Sequence, residues 1–166
     1  MDCKNAIGIG LAIAVSVIGV GCDHSNMTPT MPTPTTSLFT RYGGAPTIAK
    51  VVNDAVTGVL ADPVEAPFFA ALGQPGHDTP ERLKSCLRLQ FTAVFGGPAT
   101  YPGVDDLGDQ CRDMTAAHAT VGVTGPVFDR FITDLTGVLT ADGVSQTDIA
   151  TLAPTLAGLK SPIVTR

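Results

Sequence analysis

The sequence predicts an all-α domain, and three observations predict it. Apolar residues recur every three or four positions, no segment after residue 37 alternates with period two, and Pro and Gly mark the starts and stops of the apolar runs. The chain has 166 residues, 44% of them apolar, which suffices for a single core of ordinary size. Its formal net charge is −5 with only 10 Lys and Arg. Phosphate-backbone binding needs clustered cations, so no nucleic-acid partner is expected.

The first helix is expected from Pro46, with Ile48, Val51, Val52, Ala55, Val56, Val59 and Leu60 on its apolar face. The second opens at Thr79-Pro80-Glu81, where threonine can cap, proline fits the first turn and the carboxylate meets the positive end of the helix dipole. It carries Leu83, Cys86, Leu87, Phe91, Val94 and Phe95, with Lys84 and Arg88 beside them, and closes at Gly96-Gly97-Pro98. A third helix carries Val127, Phe128, Phe131, Ile132, Leu135, Val138 and Leu139 up to Asp142-Gly143. A fourth starts at Ser145-Gln146-Thr147-Asp148, which has capping-box spacing with Asp in place of Glu, and carries Ile149, Leu152, Leu156 and Leu159. Tyr101 to Val123 is rich in Gly and Asp, with a short helical stretch around Met114 to Ala119.

Ahead of this domain, residues 1–21 read as a signal peptide of lipoprotein type. The uncharged run Ala6 to Val20 is shorter than the roughly 20 residues of a spanning helix. Gly19-Val20-Gly21-Cys22 resembles a bacterial lipobox, although Gly19 stands where that motif has Leu. Cys22 is therefore the expected lipidation site. Residues 22–36, rich in Pro, Thr and Ser, read as a flexible tether, and residues 37–166 as the folded domain. The expectation is an exported lipoprotein, anchored to a membrane through its lipid and facing the periplasm or the cell exterior. Cys3 leaves with the leader, so Cys86 and Cys111 remain as an even pair for a disulfide. Closing that loop would stabilise the fold by about 3.5 kcal/mol in the chain-entropy account.

Reactive groups are few. No paired carboxylates stand on an apolar helix face, and no nucleophile elbow, phosphate loop, zinc spacing or covalent-haem motif occurs. Asp105, Asp106 and Asp109 do not follow the order of a calcium loop and read as a solvated insertion. His77 lies in a polar loop and reads as solvated. His118 lies on the short helix with small neighbours and with Met114 one turn earlier on the same face. By spacing alone it is a structural histidine or a ligand. What remains for chemistry is a cofactor held by one histidine inside an apolar helical pocket.

Ser37-Leu38-Phe39, Tyr42-Gly43-Gly44, Leu60-Ala61-Asp62-Pro63, Ala66-Pro67-Phe68-Phe69, Phe95-Gly96-Gly97-Pro98 with Tyr101 and Gly103, and above all Asp113-Met114 followed by Ala117-His118 and Gly122-Val123-Thr124, occur in this order. Together they resemble group I truncated haemoglobins over residues 37–166. The resemblance implies a two-over-two helical sandwich around one non-covalent haem b, with His118 as the proximal iron ligand. It places Phe69 against the porphyrin, Leu83, Leu87 and Phe91 on the distal side, and Met114, Val123 and Phe128 on the proximal side and haem edge. Lys84, Arg88 and Tyr101 become candidates to meet the propionates.

The same resemblance marks two departures. Val56 stands where the family commonly has a distal tyrosine, and Leu87 where it commonly has a glutamine. Such an apolar distal pocket favours CO and NO over tight dioxygen storage. The function implied is reversible binding of O2, NO or CO. The alternative is a haem enzyme with a redox partner, performing NO dioxygenation or peroxidase-like chemistry. Val104 to Cys111 looks like an insertion that Cys111 ties to Cys86, and iron ligation by the Cys86 thiolate is the competing arrangement.

Overall fold

The computed structural model describes residues 36–166. The leader, Cys22 and the tether up to residue 35 lie outside the described residues. The described residues form α1 (Leu38–Arg41), α2 (Ala45–Ala61), a 3₁₀ turn (Ala66–Phe69), α3 (Pro80–Val94), α4 (Met114–His118), α5 (Gly125–Ala141), α6 (Gln146–Gly158) and α7 (Lys160–Ile163). Among them no helix is long and apolar enough to cross a membrane.

Each of the three long helices α2, α3 and α5 carries a proline at its first or second position, where the missing N–H is one of the unpaired donors of a helix start. Thr79 caps α3 by accepting the Arg82 N–H at 3.1 Å, as its sequence predicts. The cap of α6 differs from the expected box. Ser145 accepts the Asp148 N–H at 3.2 Å, but the returning bond is made by Tyr42, whose hydroxyl accepts the Ser145 N–H at 3.0 Å and donates to Asp148 at 2.5 Å. The aspartate side chain is one methylene shorter than the usual glutamate, and a tyrosine 103 residues away makes the bond that a glutamate would have made. That hydroxyl, joined by Ser145 and Arg41, holds the Asp148 carboxyl below the usual carboxylate range.

The long helices pack together: α2 on α3 and on α5, and α5 on α6. Val51, Val52 and Val56 of α2, Phe91 of α3, Phe95 just past it, Leu135 and Leu139 of α5, and Ile149, Leu152 and Leu156 of α6 share one core. Each such side chain contributes about 1.5–3 kcal/mol on burial. Leu60 departs from the expected face and is 44% exposed, because one residue past Val59 turns the helix by about 100°. Gly97 allows α1 to dock. A Cβ there would stand 2.7 Å from the Phe39 ring, so only glycine permits this approach.

The fourth expected helix is divided. It ends as α6 at Gly158, and Leu159 joins it to the single turn α7, which packs on α4. A five-residue helix has little stability of its own. α4 is held by its Asp113 cap, which accepts the Ala116 N–H at 2.8 Å, and by a second apolar cluster of Val123, Phe128, Ile163 and Met114.

Candidate functional site

The α3 helix does not close onto the corner formed by α4 and the start of α5; a cavity of about 380 Å³ remains between them. The fold brings Val56 from α2, Phe69 from the 3₁₀ turn, Leu83, Leu87 and Phe91 from α3, Met114 and His118 from α4, and Val123 and Phe128 around this one space. In the sequence these residues span more than half of the described chain. Helical period explains the α3 set, since positions 83, 87 and 91 recur every four residues.

His118 is the only cavity residue with an imidazole on α4. Its Nδ1 lies 2.8 Å from the Met114 carbonyl oxygen, four residues earlier. A carbonyl can only accept, so Nδ1 carries the hydrogen, and in the neutral ring Nε2 keeps its lone pair. This is the arrangement of a metal-ligating histidine whose second nitrogen is held by a backbone carbonyl. His77, the other cavity-lining histidine, is exposed, in keeping with its loop position.

The cavity lining is less apolar than the sequence suggests. Val56 and Leu87 line it as expected, but Gln90 and Glu65 line it too, at 5% and 2% exposure. The signal for Gln90 was present, since it lies seven residues after Leu83 and three after Leu87 on the same stripe. Glu65 carried no such signal, because it falls in the corner between α2 and the 3₁₀ turn.

Both carboxylate oxygens of Glu65 are buried with no hydrogen-bond partner among the described residues. Burial pushes its carboxyl up, and the nearby Asp134 and Asp62 push it further, against a smaller opposing pull from Arg130. The folded protein therefore holds this proton more tightly than the unfolded chain. Its contribution to stability is complete below about pH 4.5 and is lost as pH rises through the raised value. Asp54, Asp62, Asp105, Asp106 and Asp148 are all lowered from 3.8, so their contributions change only below that pH. Glu65→Met should therefore match the parent near pH 4 and exceed it by about 1–3 kcal/mol at pH 8. Urea midpoints across that range check this, and parallel pH profiles for the two proteins would refute it.

The mouth of the cavity also departs from expectation. Lys84 does not line it, and Arg88 donates to Asp106 at 2.7 and 2.8 Å. Both lie on the α3 stripe next to the cavity stripe, one helical step of about 100° away. Arg82 and Arg112 line the cavity instead. Tyr101 lines the cavity, but its hydroxyl donates to the Arg112 carbonyl at 2.8 Å.

The segment Val104 to Cys111 is corrected from a solvated insertion to a pinned loop. Val104 and Gln110 form an isolated β-bridge, and the Asp105 side chain is 0% exposed. One Asp105 oxygen accepts the N–H groups of Leu107 and Asp109 at 3.0 and 2.9 Å, and the other meets Arg82. Burial alone would raise its carboxyl, but these donors outweigh it and the carboxyl is lowered. Cys86 and Cys111 form a disulfide with Cα atoms 5.7 Å apart, so the Cys86 sulfur is not a free thiolate.

Comparison with known proteins agrees with this geometry. The family model described as bacterial-like globin matches residues 37–164. A group 1 truncated hemoglobin, GlbN of Nostoc sp. (strain MUN 8820), is 26% identical over 130 residues, covering 78% of this chain and 98% of that protein. The 2/2 hemoglobin of Synechococcus sp. PCC 7002, solved in the cyanomet state with covalently attached heme, superposes with a TM-score of 0.64 at 26% identity, over 79% of this chain and all of that one. The truncated hemoglobin of Tetrahymena pyriformis in its Fe(III) form gives 0.63 at 23% identity over the same 79% share of this chain and 100% of its own, which speaks to the fold alone.

Proposed function

Because this chain belongs to the bacterial-like globin family, we propose that its cavity holds one haem b and that the protein reversibly binds a diatomic gas there. The observation that carries this reading is the fixed tautomer of His118, which leaves one imidazole lone pair in an otherwise largely apolar space. The residues fit the group. Phe69, Phe91 and Phe128 offer flat apolar surface, and the half-exposed Arg112 puts a cation on the cavity lining where a propionate would need a partner. Arg112 is 58% exposed and spends one nitrogen on Asp78, leaving further N–H groups for a carboxylate.

Haem bound here would be held by His118 and would supply an iron able to bind a diatomic gas. The chain's own part is to hold and to exclude. Met114 takes the Nδ1 hydrogen, which orients the ring and makes Nε2 the better donor. Val56, Leu83 and Leu87 make their part of the cavity lining apolar. Similarity to the Nostoc protein supports placing the chain in group I. The sequence of residues 1–36 supports an envelope location through lipid on Cys22.

Titration of the purified protein with haemin tests the reading. A Soret band should saturate at one equivalent per chain and shift on reduction and again under carbon monoxide. A band that never saturates, or a reduced form indifferent to carbon monoxide, would remove it.

A further inference from the structure

We propose that Asp62, Glu65 and Asp134 form a binding site for one calcium ion, at the corner where α2 gives way to the 3₁₀ turn and meets α5. The proposal stands apart from the haem reading and needs no haem to be bound. Asp62 closes α2, Glu65 precedes the 3₁₀ turn and Asp134 lies on α5, and α2 packs on both of the other elements. One oxygen from each carboxylate lies within 4.8 Å of the other two.

Grouped acidic side chains alone do not make a metal site. Glu65 sets this group apart: it is 2% exposed, and neither of its carboxylate oxygens has a hydrogen-bond partner among the described residues. A carboxylate taken out of water needs a cation or several N–H donors. Arg130 is the cation that acts on it, but its N–H groups are turned to the other two members, Nε to Asp134 at 2.9 Å and an Nη to Asp62 at 2.8 Å. The second Asp62 oxygen accepts the N–H groups of Val64 and Glu65 at 2.7 and 3.1 Å, which fixes the corner. Three carboxylates against one guanidinium leave two negative charges uncompensated, the charge of one divalent cation.

The donors are all oxygens, without imidazole or thiolate, which selects calcium, magnesium or manganese over zinc or copper. Calcium–oxygen bonds of about 2.3–2.6 Å put opposite oxygens of the shell about 4.6–5.2 Å apart, against about 4.0–4.2 Å for magnesium. The carboxylates therefore fit calcium without drawing together. Asp134 is 29% exposed, so the ion has a way in and a side on which water completes its shell.

Thermal melting of the full chain in mildly alkaline buffer tests the site, first in EGTA and then with calcium chloride, with potassium chloride matching the ionic strength. Calcium at tenfold its dissociation constant should raise the parent Tm by about 4–8 °C. Half of that effect should be reached at about 0.1–1 mM calcium, and magnesium at equal concentration should give less than about half the shift. Glu65→Gln and Asp134→Asn should each lose the calcium shift, while Asp129→Asn, which alters an exposed carboxylate paired with Lys160, should keep it. Glu65→Gln removes an unpaired buried charge, so in EGTA it should melt no lower than the parent, which separates loss of the site from loss of the fold. A parent that melts at one temperature with and without calcium, or a shift of equal size in Glu65→Gln, would overturn the site and leave Glu65 neutralised by a proton. An equal shift from magnesium would overturn the choice of calcium.

Discussion

His118→Gly should abolish stable haem retention, and millimolar imidazole should restore it. Loss of an outer hydrogen-bond partner of a metal-bound histidine typically costs roughly 10- to 100-fold in affinity, and removing the ligand itself should cost more. The fold should survive, because His118 is a partly buried residue at the end of a five-residue helix whose packing is carried by Met114, Val123, Phe128 and Ile163. Glycine leaves a space of imidazole size against the Met114 carbonyl, which can again take an N–H from a free imidazole. The measurements are the Soret absorbance after gel filtration and the carbon monoxide difference spectrum, each with and without imidazole. Full retention of the Soret band in the glycine variant would show that another group holds the iron.

Arg82→Met should destabilise the folded protein by about 3 kcal/mol near neutral pH, at the lower end of what stranding a buried charge costs. The two partners differ in exposure. Asp105 has a side chain that is 0% exposed, while Arg82 is 19% exposed. Removing the cation leaves a carboxylate that cannot reach water, and the N–H groups of Leu107 and Asp109 compensate only in part. Asp105→Asn should cost less, since the amide keeps an oxygen for those N–H groups and Arg82 can turn outward. The sign of the pH effect separates this cause from lost packing. In the parent, the lowered Asp105 carboxyl contributes stability above pH 3.8 that fades as pH falls through its folded value. In Arg82→Met the carboxyl loses the pull of the cation and its folded value moves up, so the gap between variant and parent should close as pH falls below 3.8. Denaturant midpoints at pH 7 and at about pH 3 decide it, and a gap that stays constant would assign the loss to packing.

The cavity's apolar residues were largely legible in the chain because helix faces repeat. Spacing put Leu83, Leu87 and Phe91 on one face, while their place around a cavity, and that of His118, came from the family resemblance. The same spacing includes Gln90, yet periodicity cannot tell whether a polar residue on an apolar stripe finds a partner, and that depends on side chains from other helices. Lys84 and Arg88 failed as cavity residues for the reverse reason. Long cations beside an apolar stripe look able to reach inward, but Asp106, on a loop no local rule could place, draws Arg88 away.

Helix positions and the proline and Thr79 starts were determined by the sequence itself, because each depends on groups within a turn or two. The burial of Asp105 under Arg82, the Tyr42 bond that completes the α6 cap, the Cys86–Cys111 bond and the unpartnered Glu65 carboxylate on the cavity wall were decided only by the tertiary structure. Their energies come from desolvation and from contacts between segments 20 to 100 residues apart, and neither quantity exists until those segments meet.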